Sequence, residues 1–144
     1  MAKRSKVKIP KIELKPFDSS KIKPTVIDDG KVSFNFWRLF EKPKKFKYSV
    51  CESKYFKKVL ERLKNISNLS RMELCTTCSK SLRSHAIDFN HKSVTENTFG
   101  FGEDIDDEAW QFEVSENEHG RIHGYFVGNV FYIVWLDPKH DLYR

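Results

Sequence analysis

Apolar and polar side chains alternate with period two along residues 109–115 (AWQFEVS), 121–127 (RIHGYFV) and 130–136 (VFYIVWL), the pattern of three strands. Gly128-Asn129 separates the last two as a tight hairpin turn, because Gly and Asn tolerate positive φ. Counting outward from that turn sets Phe126 opposite Phe131, Tyr125 opposite Tyr132, His123 opposite Val134 and Ile122 opposite Trp135. The longer turn over 116–120 sets Ser115 opposite Arg121, Glu113 opposite His123 and Trp110 opposite Phe126. Both countings sort the side chains alike. Trp110, Phe112, Val114, Ile122, Phe126, Phe131, Ile133 and Trp135 form one apolar face, which predicts a core. Gln111, Glu113, Arg121, His123, Tyr125 and Tyr132 form the other, which this pattern leaves facing solvent.

Upstream, residues 25–27 and 31–36 flank Asp28-Asp29-Gly30 and read as a hairpin, with Val32, Phe34 and Phe36 on one face. Residues 46–50 read as a further short strand. A helix is predicted from an N-cap at Ser53 to about Asn65, its stripe being Phe56, Val59, Leu60 and Leu63. A second helix begins near Asn68 or Ser70, with Leu69, Met72, Cys75 and Leu82 as its buried side, so that the two form a helical hairpin. Residues 83–108 read as irregular. Strands, helices and then a meander predict an α+β fold: an antiparallel sheet whose C-terminal three-stranded meander packs on the helical hairpin.

Charge divides the chain. Residues 1–50 hold 14 Lys or Arg against 5 Asp or Glu, while the remainder holds 12 against 15. Residues 1–24, with three prolines and no sustained periodicity, read as a basic extended arm, and 25–144 as a single α+β domain. A basic arm suits an anionic partner such as nucleic acid. No run is apolar enough for a membrane span, and three cysteines without a leader sequence predict a reducing cytoplasm.

The polar face holds the candidate chemistry. A Glu113–His123 pair would orient an imidazole for proton transfer, and Arg121 beside it would hold a phosphate. Tyr125 and Tyr132 would stack bases. The tail returns Lys139, His140, Tyr143 and Arg144 to the sheet. Such a set would cleave RNA without a metal, so no cofactor is expected. The alternative for these residues is ordinary pairing on a solvated face. Cys75 and Cys78 with His85 and His91 form a second, zinc-like set, although six residues between Cys78 and His85 are fewer than a finger uses. The acidic run over 103–108 lacks the spacing of a calcium loop and reads as a solvated loop.

The order of strand, two helices and meander resembles the RelE/ParE-like toxin superfamily, with its YoeB and HigB branches. The residues carrying the resemblance are Gly120-Arg121-Ile122-His123-Gly124-Tyr125, the strand over 131–136, and His140-Asp141-Leu142-Tyr143. It covers about residues 46–144. The chain departs from the family in its N-terminal extension, its mildly acidic body and the placement of His123. The resemblance implies a RelE-like fold and an endoribonuclease toxin, with Glu113, Arg121, His123, His140 and Tyr143 as catalytic residues. Tyr125, Tyr132, Lys139 and Arg144 would bind RNA. RNA or the ribosome would be the target, and an antitoxin protein a further partner. The other reading is a non-enzymatic nucleic-acid-binding or regulatory protein that works through its Lys-rich arm.

Overall fold

A computed structural model describes residues 30–116 and 118–144. The basic arm and the first half of the expected hairpin lie outside these residues. The described residues form an α+β structure around a five-stranded sheet of order β1-β5-β4-β3-β2. The strands are β1 (Ser33–Asn35), β2 (His85–Ala86), β3 (Ala109–Glu113), β4 (Arg121–Val127) and β5 (Val130–Asp137). The sheet is mixed rather than antiparallel, since β1 runs parallel to β5 with Phe34 beside Phe131.

The helices are α1 (Ser53–Ile66), α2 (Arg71–Cys75), α3 (Ser79–Leu82) and α4 (Glu103–Asp106). Helix α1 buries Tyr55, Val59, Leu63 and Ile66, one side chain per turn along a single stripe, each contributing about 1.5–3 kcal/mol. That stripe is rotated from the expected one, for Leu60 is exposed and Phe56 only half-buried. Glu52 rather than Ser53 occupies the N-cap. The expected second helix is two short ones. Ser70 starts α2 with a reciprocal cap, its Oγ accepting from the Glu73 N–H at 3.0 Å while Glu73 Oε1 accepts from the Ser70 N–H at 3.2 Å. Leu74 fills the core and Met72 points outward. Residues 46–50 are not a strand: a 3₁₀ turn covers Lys44–Phe46.

Helices α1 to α3 cover one face of the sheet, burying Phe112, Val114, Ile122, Phe126, Phe131, Ile133 and Leu136. The other face is not solvated. Segments on either side of α1 and the C-terminal tail fold over it, and Phe46, Ile87, Val94, Phe99, Tyr125, Val134, Trp135 and Leu142 pack there as a second core. The sequence reading therefore erred in leaving that face open, because irregular chain covers it as completely as helices cover the first.

Two features of register place the polar residues. The β3–β4 pairing is displaced by two residues from the expected one, so that Glu113 lies opposite Arg121 and Gln111 opposite His123. A shift of two preserves faces but changes partners, and the expected Glu113–His123 pair does not form. The β4–β5 pairing holds as counted from Val127–Val130 to Gly124–Ile133 and then slips at a bulge, so that His123 faces Trp135 instead of Val134. Val134 is the extra residue, and its carbonyl accepts the Phe40 N–H at 3.2 Å. Beyond the bulge the parity of β5 inverts. Trp135 and Asp137 turn to the second face, while Leu136 takes the place on the helical face that alternation gave to Trp135.

Candidate functional site

Gly120 allows the start of β4 to lie against the end of β5. Its φ is +69°, and a Cβ there would stand 1.8 Å from the Asp137 carbonyl oxygen. This approach sets Arg121 beside the turn that follows β5. Arg83, Glu118, Gly120, Arg121, Pro138, Lys139 and His140 line a recess of about 460 Å³ there.

Beneath the recess lies a buried polar cluster. His123 is fully buried, and its Nε2–H donates to Asp137 Oδ2 at 2.9 Å. The same carboxylate accepts the backbone N–H of Asp141 at 2.7 Å and of Leu142 at 3.0 Å. Asp137 thus ties the tail to the sheet and holds His140 at the recess. Burial pushes the His123 imidazole below its ordinary value, and the bond to Asp137 opposes this only in part. Burial would raise the Asp137 carboxyl, but the His123 bond and the two backbone N–H groups hold it low. Both shifts favour a neutral imidazole beside a carboxylate.

Glu113 is the second buried carboxylate. Its Oε2 lies 3.6 Å from Arg83 Nε and 4.0 Å from Arg121 Nη1. Arg121 Nη1 also donates to the Gly120 carbonyl at 3.1 Å. Glu113 therefore positions two guanidinium groups, one buried and one at the mouth, rather than an imidazole. Gln111 Nε2 donates to His85 Nε2 at 2.7 Å, and the His85 Nδ1–H donates to the Ala86 carbonyl at 2.9 Å, in the tautomer that satisfies both bonds.

His140, exposed at the mouth, adopts φ +57°. Desolvation and then the Arg121 cation push its imidazole below the ordinary 6.5, with Asp137 opposing. Tyr143 lies between two imidazoles, 5.7 Å from the His85 ring and 5.8 Å from the His140 ring. Burial and then the Asp88 carboxylate push its phenol up to about 12, so it remains a hydroxyl donor at neutral pH.

The fold thus gathers Glu113, Arg121, His123, His140 and Tyr143 at one end of the sheet, with Lys139 exposed at the recess and Arg144 exposed at the chain end. His123 is too deep to touch a ligand. Tyr125 is buried and stacked on half-buried Tyr132 at 5.0 Å, nearly parallel, so it offers no face to a base. The zinc-like set is dispersed: Cys75 and Cys78 pack against the helical core, His85 bonds Gln111, and His91 bonds Ser93. Among the described residues no three His, Cys, Asp or Glu side chains are placed to hold a metal ion.

Sequence reasoning missed Asp137, Arg83 and the role of Gln111. Asp137 had a visible signal, an acid closing an apolar strand, but it lies one residue beyond the strand read over 130–136, and the bulge that turns it to His123 is not visible in alternation. Arg83 had none, because a turn between two short helices and a two-residue strand brings it there.

Comparison with family models, with curated proteins and with solved structures found no match.

Proposed function

We propose that the recess binds a phosphodiester of RNA and that the protein is a metal-independent endoribonuclease, a toxin of the kind its sequence resembles. One observation carries this reading: Arg83, Arg121, Lys139 and His140 converge on one recess, with the imidazole held toward its neutral form. His140 takes the proton of a 2′-hydroxyl, whose oxygen then attacks phosphorus. Arg83 and Arg121 stabilise the charge that develops on the phosphoryl oxygens. The Lys139 ammonium protonates the 5′ oxygen as the P–O5′ bond breaks. The products are a 2′,3′-cyclic phosphate and a 5′-hydroxyl. Glu113 positions the cations, and the His123–Asp137 pair positions the tail.

The test is cleavage of end-labelled single-stranded RNA in EDTA by wild type and by His140→Ala, with both circular dichroism spectra recorded. Cleavage by wild type that falls at least 100-fold in the variant supports the mechanism. Equal rates would remove His140 from it. For the toxin reading, induction of wild type in a bacterial host should arrest growth and His140→Ala should relieve the arrest. An antitoxin would act by covering the recess.

A second reading is favoured by the buried Glu113 carboxylate, which already neutralises part of the charge of both arginines. In that reading the recess or the Lys-rich arm binds nucleic acid without cutting it. Binding that survives His140→Ala, with no cleavage by wild type, would select it.

A further inference from the structure

The turn after β1 leaves an aromatic residue in an unusual position. The Leu39 N–H donates to the Phe36 carbonyl at 3.0 Å and the Trp37 N–H to Asn35 Oδ1 at 2.8 Å, so the turn is held from both sides. Trp37 stands at its tip, 75% exposed, with Phe36 50% exposed beside it. Burying a Trp is worth several kcal/mol, and this turn forgoes that gain.

Behind Trp37 lies a series of cation and ring contacts. The Arg38 guanidinium lies 4.1 Å from the Trp37 ring centre and 4.4 Å from that of Phe101. Phe101 is followed by Tyr125 at 6.3 Å, and Tyr125 by Tyr132 at 5.0 Å. Arg38 Nε is buried without a hydrogen-bond partner among the described residues. The series rests on the second core through Phe40, which packs on Phe101 and Trp135.

Cations predominate along this segment, although Lys45 is paired with Glu96 at 2.7 Å and the exposed acids Glu103 and Asp104 follow Phe101. Residues 31–47 hold Lys31, Arg38, Lys42, Lys44, Lys45 and Lys47 against Glu41. Lys42, Lys44 and Lys47 are exposed. A rigid exposed indole among cations matches the two needs of an unpaired nucleic-acid strand, a flat surface for a base and positive charge for its backbone. It matches a protein partner poorly, because the core of a protein interface is depleted in charge.

We propose that Trp37 is a stacking platform for an unpaired base of single-stranded RNA, with Arg38 holding the indole from behind and the lysines of the same segment drawing in the backbone. This site is separate from the recess. For the identity of the polymer it rests on the reading of the recess as an RNA site.

The experiment uses the full chain and a 2′-O-methyl oligouridine, which lacks the 2′-hydroxyl nucleophile and so reports binding alone. Trp135 is buried and Trp110 half-buried, so quenching of exposed indole emission reports Trp37. Wild type should show saturable quenching. Trp37→Leu should lose it and bind at least about fivefold more weakly by anisotropy, with an unchanged salt slope. Trp37→Phe should recover part of the affinity. Equal affinity in wild type and Trp37→Leu, or unaltered Trp emission at saturation, would overturn the proposal. Uncut RNA together with weakened binding by Trp37→Leu would instead remove the nuclease reading and leave the platform standing.

Discussion

Acidification provides a quantitative test of the buried His123–Asp137 pair. His123 is wholly buried and its imidazole is held below the ordinary 6.5, because no water solvates a proton there. In the unfolded chain the same imidazole titrates near 6.5. Between the two values the unfolded state binds the extra proton, so stability is full above pH 6.5 and falls as pH drops toward the folded value. Lowering pH from 7.5 to 5.5 therefore costs stability from this one residue, up to a limit of about 1.4 kcal/mol if the folded imidazole takes up no proton. Asp137 is held low by its three donors, so its contribution is present above the ordinary 3.8 and is lost only in stronger acid. It does not blur this window.

The protein has five histidines, so the slope of wild type alone is ambiguous. The informative quantity is the difference from His123→Gln, whose amide N–H still reaches the Asp137 carboxylate but does not titrate. Urea unfolding followed by circular dichroism at half-unit steps from pH 7.5 to 5.5 supplies both curves. His123→Gln should start less stable and lose less stability across that range, by up to about 1.4 kcal/mol. Parallel curves would refute the reasoning, since His123 would then bind protons equally in the folded and unfolded chains.

Four further outcomes are expected. Gly124→Ala places a Cβ 2.1 Å from the Tyr132 carbonyl oxygen and 2.7 Å from the Phe131 ring, so it should cost at least about 2 kcal/mol, seen as a lower Tm. Asp137→Ala orphans three donors and should cost about 3–5 kcal/mol, whereas Asp137→Asn should cost less than half of that. Hydrogen exchange at the Leu142 amide should quicken in both folded variants, and unchanged protection would show that the tail is held by other means. Ser70→Ala removes the cap of α2 and should cost about 1 kcal/mol in urea unfolding without altering RNA binding. If His140 is the proton acceptor, the acidic limb of the cleavage profile should have its midpoint below pH 6.5, because desolvation and Arg121 lower this imidazole.

Much of the architecture was legible without coordinates, for local reasons. Period-two alternation and the Gly128-Asn129 turn specify the β4–β5 hairpin, and its pairing is as counted from Val127–Val130 to Gly124–Ile133. The apolar residues of β3 and the first half of β5 face the helices as alternation requires. Ser70, one of the two starts read for the second helix, caps α2, and the spacing of Val59 and Leu63 marks α1. Each depends on residues a few positions apart, whose geometry the chain itself imposes.

The site depended on contacts that local pattern does not contain. Alternation carried past Tyr132 puts Asp137 under the helices, and one extra residue at Val134 turns it to His123. That bulge is stabilised by the Phe40 amide, nearly a hundred residues earlier in the chain. The face that composition marked as solvent-exposed is closed by loops rich in Phe, whose burial no periodicity announces because irregular chain has none. Arg83 reaches Glu113 across 30 positions, and only the folded chain brings them together. Sequence singled out the candidates, Arg121, His140 and their neighbours. Tertiary structure decided which of them meet, which are buried as positioning groups and which stand at an open recess, because burial and long-range pairing arise only when separate segments pack.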